Sequence, residues 1–231
     1  MNTNLCMADI DVFAQLLRER RPFALARFND GEMKGIRRHG CKIARNDQYV
    51  TPELSRALAA ALKHEQAGYY TGVPCSKCYP GLRTLALRTA NPRYPRLTEA
   101  VVLTNRNWHT VISSIATWIG PRPVVWVSGH DQDLDGLARQ GIELDIAFQR
   151  TLPNKGSFEH RDRLSGVVDA LPAGCVVILS CGPLSRVLAH GWWKRRQDCT
   201  LLDVGSVFDP FTRNVWHKCH KGRLRACPEC N

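Results

Sequence analysis

The sequence predicts an α/β fold: a Rossmann-like, mostly parallel sheet with helices on both faces, plus a short Cys/His-rich C-terminal tail. Three observations predict it. Unbroken apolar runs such as Val176-Val177-Ile178-Leu179 read as strands covered on both sides, because a strand with one wet face would alternate apolar and polar residues. These runs alternate with segments of helical periodicity, the order that crossover-connected parallel strands impose. Each run then gives way to a polar loop, and in such sheets ligands bind beyond the carboxyl ends of the strands.

Taken in chain order, Ile10, Phe13, Leu16 and Leu17 recur at helical spacing, and the basic residues from Arg18 to Arg21 suit the negative end of that helix. Phe23-Ala24-Leu25-Ala26 is a short strand, followed at once by polar Arg27-Phe28-Asn29-Asp30-Gly31-Glu32. Thr51-Pro52-Glu53 starts a helix, with Thr51 as N-cap and Pro52 at the first helical position; Leu54, Leu58, Ala61 and Leu62 form its buried stripe. Beyond it the pattern predicts a strand at 100–103, a helix at 108–119, a strand at 124–127, a short helix at 134–139 and a strand at 144–148. A helix at 158–171 capped by Ser157, the strand at 176–179, a helix at 184–196 and a last strand at 200–202 complete the series. There is no internal repeat and no linker composition, so residues 1–212 read as one domain and 213–231 as a basic tail folded onto it.

Composition narrows the class. With 44% hydrophobic and 23% charged residues the 231-residue chain is an ordinary globular protein rather than a disordered one. No apolar run reaches the roughly 20 residues that span a bilayer, so no membrane partner is expected. The start Met1-Asn2-Thr3-Asn4-Leu5 lacks a basic-then-apolar leader, so a cytoplasmic location is expected, bacterial or, for a viral protein, that of the host. The net charge of +11 and pI near 9.4 point to an anionic partner, with a merely basic enzyme as the plainer alternative.

The polar residues collect where the strands end. They are Arg27 with Asp30-Gly31-Glu32, Thr104-Asn105-Arg106, Ser128-Gly129-His130-Asp131, Gln149-Arg150 with Asn154-Lys155, Ser180-Cys181-Gly182-Pro183, and Asp203-Val204-Gly205-Ser206. Six such loops on one edge make a site. No G-x-G-x-x-G follows a strand and no G-x-x-x-x-G-K-[ST] exists, which disfavours dinucleotide and P-loop chemistry. What remains is a carboxylate pair beside cations. Asp30 and Glu32 on a loop can hold a hard divalent cation, Mn2+ or Mg2+, through oxygen; such an ion would bridge a diphosphate and stabilise its departure. Arg27, Arg106 or Lys155 would neutralise the remaining phosphate charge. The plainer alternative is that the two acids cap the following helix.

These residues together resemble a known family. Ala26-Arg27-Phe28-Asn29-Asp30-Gly31-Glu32 is similar to the R-F-G-D-G-E motif of the GT-D-fold glycosyltransferases, and 178–189 resembles their G-P-T-A-K-V-L-A segment. Leu202-Asp203-Val204-Gly205 resembles their D-I-G strand end, and Pro153-Asn154-Lys155 sits where they carry a P-x-x-N-like loop. The resemblance implies a Rossmann-like fold, a nucleoside-diphosphate sugar donor such as a UDP-sugar, and metal help from Asp30 and Glu32. Arg27, Asn105, Arg106, Asn154, Lys155, Gly182, Pro183, Asp203 and Ser206 are then the expected donor-binding residues. Asn29 replaces the family's glycine, a position that tolerates Asn. Ser206 stands where the family often has histidine, so the base that an inverting transfer needs must lie elsewhere: Asp131, Asp209 and His130 are the candidates.

The ten cysteines include two C-x-x-C pairs. Cys75 and Cys78 with Cys227 and Cys230 would form a tetrahedral thiolate zinc site; alternatively the tail pair closes a site with Cys219 and a histidine, His217 or His220. A redox pair is disfavoured because neither C-x-x-C joins a strand to a clear helix. Cys175, Cys181 and Cys199 flank strands and read as core. The basic excess at Lys34, Arg37, Arg38 and Lys42, at Lys194, Arg195 and Arg196, and at Arg213, Lys218, Lys221, Arg223 and Arg225, interleaved with Trp192, Trp193, Phe211 and Trp216, suggests a nucleic-acid acceptor, a hydroxylated DNA base flipped from its stack. A glycan or protein acceptor is one alternative, and a non-catalytic zinc-containing nucleic-acid-binding protein is another.

Overall fold

A computed structural model describes residues 7–38, 41–43, 48–90, 96–217 and 220. The strands are β1 (Ala24–Arg27), β2 (Cys41–Ile43), β3 (Gln48–Val50), β4 (Tyr69–Val73), β5 (Leu97–Glu99), β6 (Val124–Gly129), β7 (Ile146–Leu152), β8 (Val176–Ser180) and β9 (Thr200–Asp203). The helices are α1 (Ile10–Arg18), α2 (Asp30–Arg38), α3 (Pro52–Leu62), α4 (Pro80–Thr89), α5 (Trp108–Ile119), α6 (Asp135–Ala138), α7 (Leu184–Trp193) and α8 (Asp209–Thr212). Seven strands form one sheet in the order β5-β4-β1-β9-β8-β6-β7, and every pairing in it is parallel. β2 and β3 form a separate antiparallel pair. No described helix is long and apolar enough to cross a membrane.

The period-2 geometry of the strands divides the core into two layers. Ala24, Ala26, Val125, Val127, Val177, Leu179 and Leu201 face α2, α3, α4 and α7 on one side of the sheet. Leu25, Val124, Trp126, Val176, Ile178 and Leu202 face α1, α5 and α6 on the other. Side chains on both faces are buried, which is why these strands carry no polar alternation. Each fully buried Val, Leu or Ile contributes roughly 1.5–3 kcal/mol relative to exposure. The predicted cap at Thr51 forms, its Oγ1 accepting from Leu54 N at 3.1 Å, and α5 begins and ends where its periodicity does.

Several elements differ from the sequence reading. The expected strand at 100–103 is a turn beyond β5, with Val102 N bonded to Glu99 O and Thr104 N to Val101 O. Its residues are apolar because Val102 and Leu103 plug the core beneath α5. The expected helix at 158–171 is a 3-10 segment over Ser157–Leu164 followed by turns. Phe158, Leu164 and Val167 are buried there; they fall on a spacing of three, which suits three residues per turn. Ser157 bonds Cys181 O at 3.2 Å instead of capping. β4 and α4 were not expected. Gly72 in β4 looks like a strand breaker, but an added Cβ would lie 3.1 Å from Ala100 Cα and 3.2 Å from Arg27 Cα. The glycine allows three chain segments to approach closely.

Candidate active site

β1 and β9 lie side by side in the middle of the sheet, and the loops leaving their carboxyl ends, with those after β5, β6, β7 and β8, bring the expected polar residues to one edge. At its centre lie two buried arginines around one carboxylate. Asp203, fully buried at the end of β9, accepts from Arg27 N through Oδ2 at 2.9 Å and pairs with Arg186 Nε at 2.9 Å. The Arg27 guanidinium turns back to the Asp203 carbonyl at 2.6 Å and the Ala100 carbonyl at 3.2 Å. Arg186, from the first turn of α7, donates to the carbonyls of Arg27 and Gly182 at 2.6 and 2.7 Å and lies 3.6 Å from Glu32. Burial disfavours the Arg186 charge, but Asp203 and Glu32 outweigh it and hold the guanidinium above its ordinary value. The quartet is neutral: two arginines, two acids.

This knot fixes the D-G-E segment, which lies in the first turn of α2 and not on a loop. Glu32 is the reciprocal half of a capping arrangement, accepting from Asn29 N at 3.1 Å. Asp30 pairs with Lys34 one turn on, at 2.8 Å, a contact that raises the lysine's pKa. Residues two apart on a helix do not share a face, so Asp30 turns outward, a third exposed, while Glu32 turns inward. Their chemistry still suits a hard cation. Mg2+ is usually held by one or two carboxylates together with substrate phosphates, and Asp30 offers such an oxygen at the ligand edge, with Lys34 as its present counter-ion.

The other expected residues surround this centre. Gly205, at φ +52, has no room for a side chain, since a Cβ there would sit 2.6 Å from Arg27 Nη2. Ser206 is half-buried, and its neighbour Gly205 accepts from Ser180 Oγ at 2.7 Å. Gly182, also at positive φ, and Pro183 turn the chain from β8 into α7. Asn105 adopts φ +54 and Arg106 beside it is exposed. Asn154 and Lys155 are exposed beyond β7, and the Asn154 side chain occupies the space that the missing side chain of Gly129 leaves, together with Asp131. His130 is exposed, its backbone N bonded to Leu152 O at 3.0 Å.

On one flank Asp131 pairs with Arg213 at 2.5 Å. Arg213 also reaches Asp209 at 3.5 Å, and the buried Asp209 carboxylate bonds His217 Nε2 at 2.8 Å. Trp216, 48% exposed, packs edge-on against Trp108 and Phe211 at 5.8 and 6.4 Å. The described part of the tail therefore lies against the domain.

Two residues of consequence were not among those expected. Arg186 stands where the resembled segment has lysine; a lone charge inside apolar Leu184-Ser185-Arg186-Val187-Leu188 was the available signal. The sequence offers His217 only as an alternative zinc ligand. Two expected features lie elsewhere. Trp192 and Trp193 are 5% and 2% exposed, and the Trp193 indole bonds Ala67 O at 3.2 Å, so neither can stack on a ligand. Lys194, Arg195 and Arg196 follow the end of α7 at the opposite edge of the sheet, where Arg195 pairs with Asp169 and Arg196 with Asp198. α7 runs antiparallel to β8 and β9, which places its basic end away from the site. Cys75 is buried and Cys78 exposed in the turn after β4, while Cys219, Cys227 and Cys230 lie outside the described residues, as do Lys218, Lys221, Arg223 and Arg225. The side chain of Lys42 is likewise not described.

No family model matches the chain, and no curated protein matches it. Solved structures do. One, described as the highly conserved domain of unknown function 1792 with a distinct glycosyltransferase fold, superposes with TM-score 0.66 at 12% identity over 87% of this chain and 78% of that one. Another, a glycosyltransferase of the same domain type from Streptococcus sanguinis, gives TM-score 0.69 at 13% identity over 92% of this chain and 86% of that one. The chain thus has the distinct glycosyltransferase fold of domain of unknown function 1792.

Proposed function

We propose that the chain is a glycosyltransferase that moves a sugar from a nucleoside-diphosphate donor to an acceptor hydroxyl. The observation that supports this most directly is the neutral Arg27–Asp203–Arg186–Glu32 knot, which sets Asp30 and the first turn of α2 at the carboxyl edge of a sheet with this fold. Because both buried arginines are committed to internal acceptors, the donor's diphosphate falls to the exposed cations Arg106 and Lys155 and to the polar backbone around Gly182 and Ser206. Asp30, the outward-facing acid of the pair, would hold a divalent ion, Mn2+ or Mg2+, together with the donor's phosphates, and that ion would neutralise charge on the departing diphosphate. Cys75 and Cys78 would join Cys227 and Cys230 around a structural zinc.

The acceptor reading shifts with the geometry. Part of the support for a nucleic-acid acceptor, Trp192, Trp193 and the 194–196 cluster, does not face the site. The flank that does face it presents Asp131, Asp209, Arg213 and His217 beside the half-exposed indole of Trp216. There Asp131 is paired with Arg213 and Asp209 is buried, so among the described residues the flank offers no free cation to a phosphodiester backbone, whereas an exposed indole beside polar side chains suits the apolar face and hydroxyls of a sugar ring. A glycan or glycoside acceptor is therefore favoured over DNA. The test is a panel of nucleotide sugars with Mn2+, Mg2+ or chelator, followed by transfer assays on p-nitrophenyl glycosides and on hydroxymethylated duplex DNA. Donor cleavage that needs the metal and yields glycoside product supports the reading; sugar incorporated into DNA alone overturns the acceptor assignment.

A further inference from the structure

We infer that His217, held by the buried carboxylate of Asp209, is the base that takes the proton from the acceptor hydroxyl, an assignment that rests on the glycosyltransferase reading. Asp209 opens α8, six residues beyond the end of β9. Its side chain is 5% exposed, and that of His217 is 40% exposed. The carboxylate is therefore screened from a ligand, and the imidazole is the group a ligand meets. The 2.8 Å contact from His217 Nε2 places the ring proton on that nitrogen and leaves the lone pair on Nδ1. A buried acid that fixes the tautomer of a more exposed histidine is the arrangement by which an imidazole becomes a directed proton acceptor.

The neighbouring groups explain why the role falls to His217. Asp131 is occupied by its ion pair with Arg213. Arg213 Nη1 also reaches Asp209 Oδ2 at 3.5 Å and so steadies the orienting acid. His220 packs under the same segment, its Nδ1 accepting from His217 N at 3.2 Å and its ring 5.1 Å from Trp108. This holds the backbone of residue 217 in place. Trp216, the preceding residue, offers its exposed indole for the acceptor ring. Ser206, where the resembled family often carries histidine, lacks a basic nitrogen; His217 supplies one from the next loop on the same edge.

In the transfer, the acceptor O–H proton passes to Nδ1 as the acceptor oxygen bonds to the anomeric carbon. The bond from that carbon to the donor phosphate oxygen breaks, and its electron pair leaves with the nucleoside diphosphate. The imidazolium later returns the proton to solvent.

The test uses the full chain and its H217A, H217Q and D209N variants. Cleavage of UDP-glucose, UDP-galactose, UDP-N-acetylglucosamine and GDP-mannose is followed with Mn2+, with water or p-nitrophenyl glycosides as acceptor, alongside calorimetric binding of UDP and GDP. H217A and H217Q should slow cleavage about 100-fold or more, leave nucleotide affinity within about twofold, and leave thermal stability and zinc content unchanged. Added imidazole should restore part of the activity of H217A, which has the space for it, and D209N should fall between wild type and H217Q. Cleavage by H217A within about threefold of wild type, equal losses in nucleotide affinity, or loss of zinc and stability with no imidazole rescue would each overturn the assignment. Wild-type binding of nucleotide without cleavage to either acceptor also counts against it. A wild-type chain that binds neither nucleotide instead removes the glycosyltransferase reading itself.

Discussion

Arg186 donates to the main-chain carbonyl of Arg27 at 2.6 Å while both residues bind the same buried carboxylate, that of Asp203. Three distant parts of the chain are thereby tied at one point: the end of β1, the start of α7 and the end of β9. Everything at the ligand edge depends on that tie, because α2 and its acids begin three residues after Arg27.

The first prediction follows from the electrostatics of the tie. R186M leaves Asp203 and Glu32 buried without their cation, and removing one partner of a buried pair costs about 3–5 kcal/mol. The urea midpoint should fall accordingly. R186K should recover part of the loss, since it restores charge but not the two-pronged reach to Gly182 and Arg27. Adding D203N to R186M should also recover part, by removing the uncompensated charge. A double variant no more stable than R186M would show that packing, not charge, sets the cost.

The second prediction concerns Lys34. It competes for the oxygen of Asp30 that a divalent ion would take. K34M should therefore tighten the apparent affinity for Mn2+ measured by activation of donor cleavage, by several-fold, while D30A, at the partly exposed acid, should abolish metal-dependent turnover and leave the circular dichroism spectrum native. Unchanged metal activation in K34M would place the ion away from Asp30.

The third concerns the thiolates. Purified, reduced protein should carry about one zinc per chain, and replacing Cys75 and Cys78 with Ser should release it and lower the thermal midpoint. Replacing Cys227 and Cys230 should do the same. If the first pair matters and the second does not, the remaining ligands come from elsewhere in the chain. Elemental analysis decides whether the metal is there at all.

How much of this was readable in the residues has physical limits. Strands buried on both faces announce themselves, and Val176–Ser180 and α5 lie close to where the pattern put them. Caps made by local side chains, such as Thr51, are also readable, because their partners are three residues away. β4 is hidden in the sequence because the glycine in it, Gly72, answers to Arg27 and Ala100, contacts remote in sequence. The same reason hid Arg186: its acceptors are 159 residues away at Arg27 and near at hand only at Gly182. The tryptophans at 192 and 193 looked available for stacking because composition records aromatic character and not which edge of the sheet a helix ends on.

The last prediction is a pH dependence of stability located away from the site. His190 on α7 and His64 beyond α3 meet edge to face, ring centroids 4.7 Å apart. Burial, then His64, then Lys194 press the His190 pKa down to about 4, and burial, only partly offset by the bond to Gln66, lowers that of His64 as well. In the unfolded chain a histidine titrates near about 6.5. Between these values the unfolded state binds more protons than the folded one, so stability rises with pH across the interval and is lost as pH falls from about 6.5 toward about 4. His220, also held at about 4 by burial, contributes in the same window and the same direction. The thermal midpoint should therefore drop steadily through this range. H190L, which keeps bulk but cannot be protonated, should flatten part of the slope without altering donor affinity, because α7 ends at the edge opposite the ligand. An unchanged slope in H190L would assign the acid sensitivity to the other two buried histidines, His64 and His220.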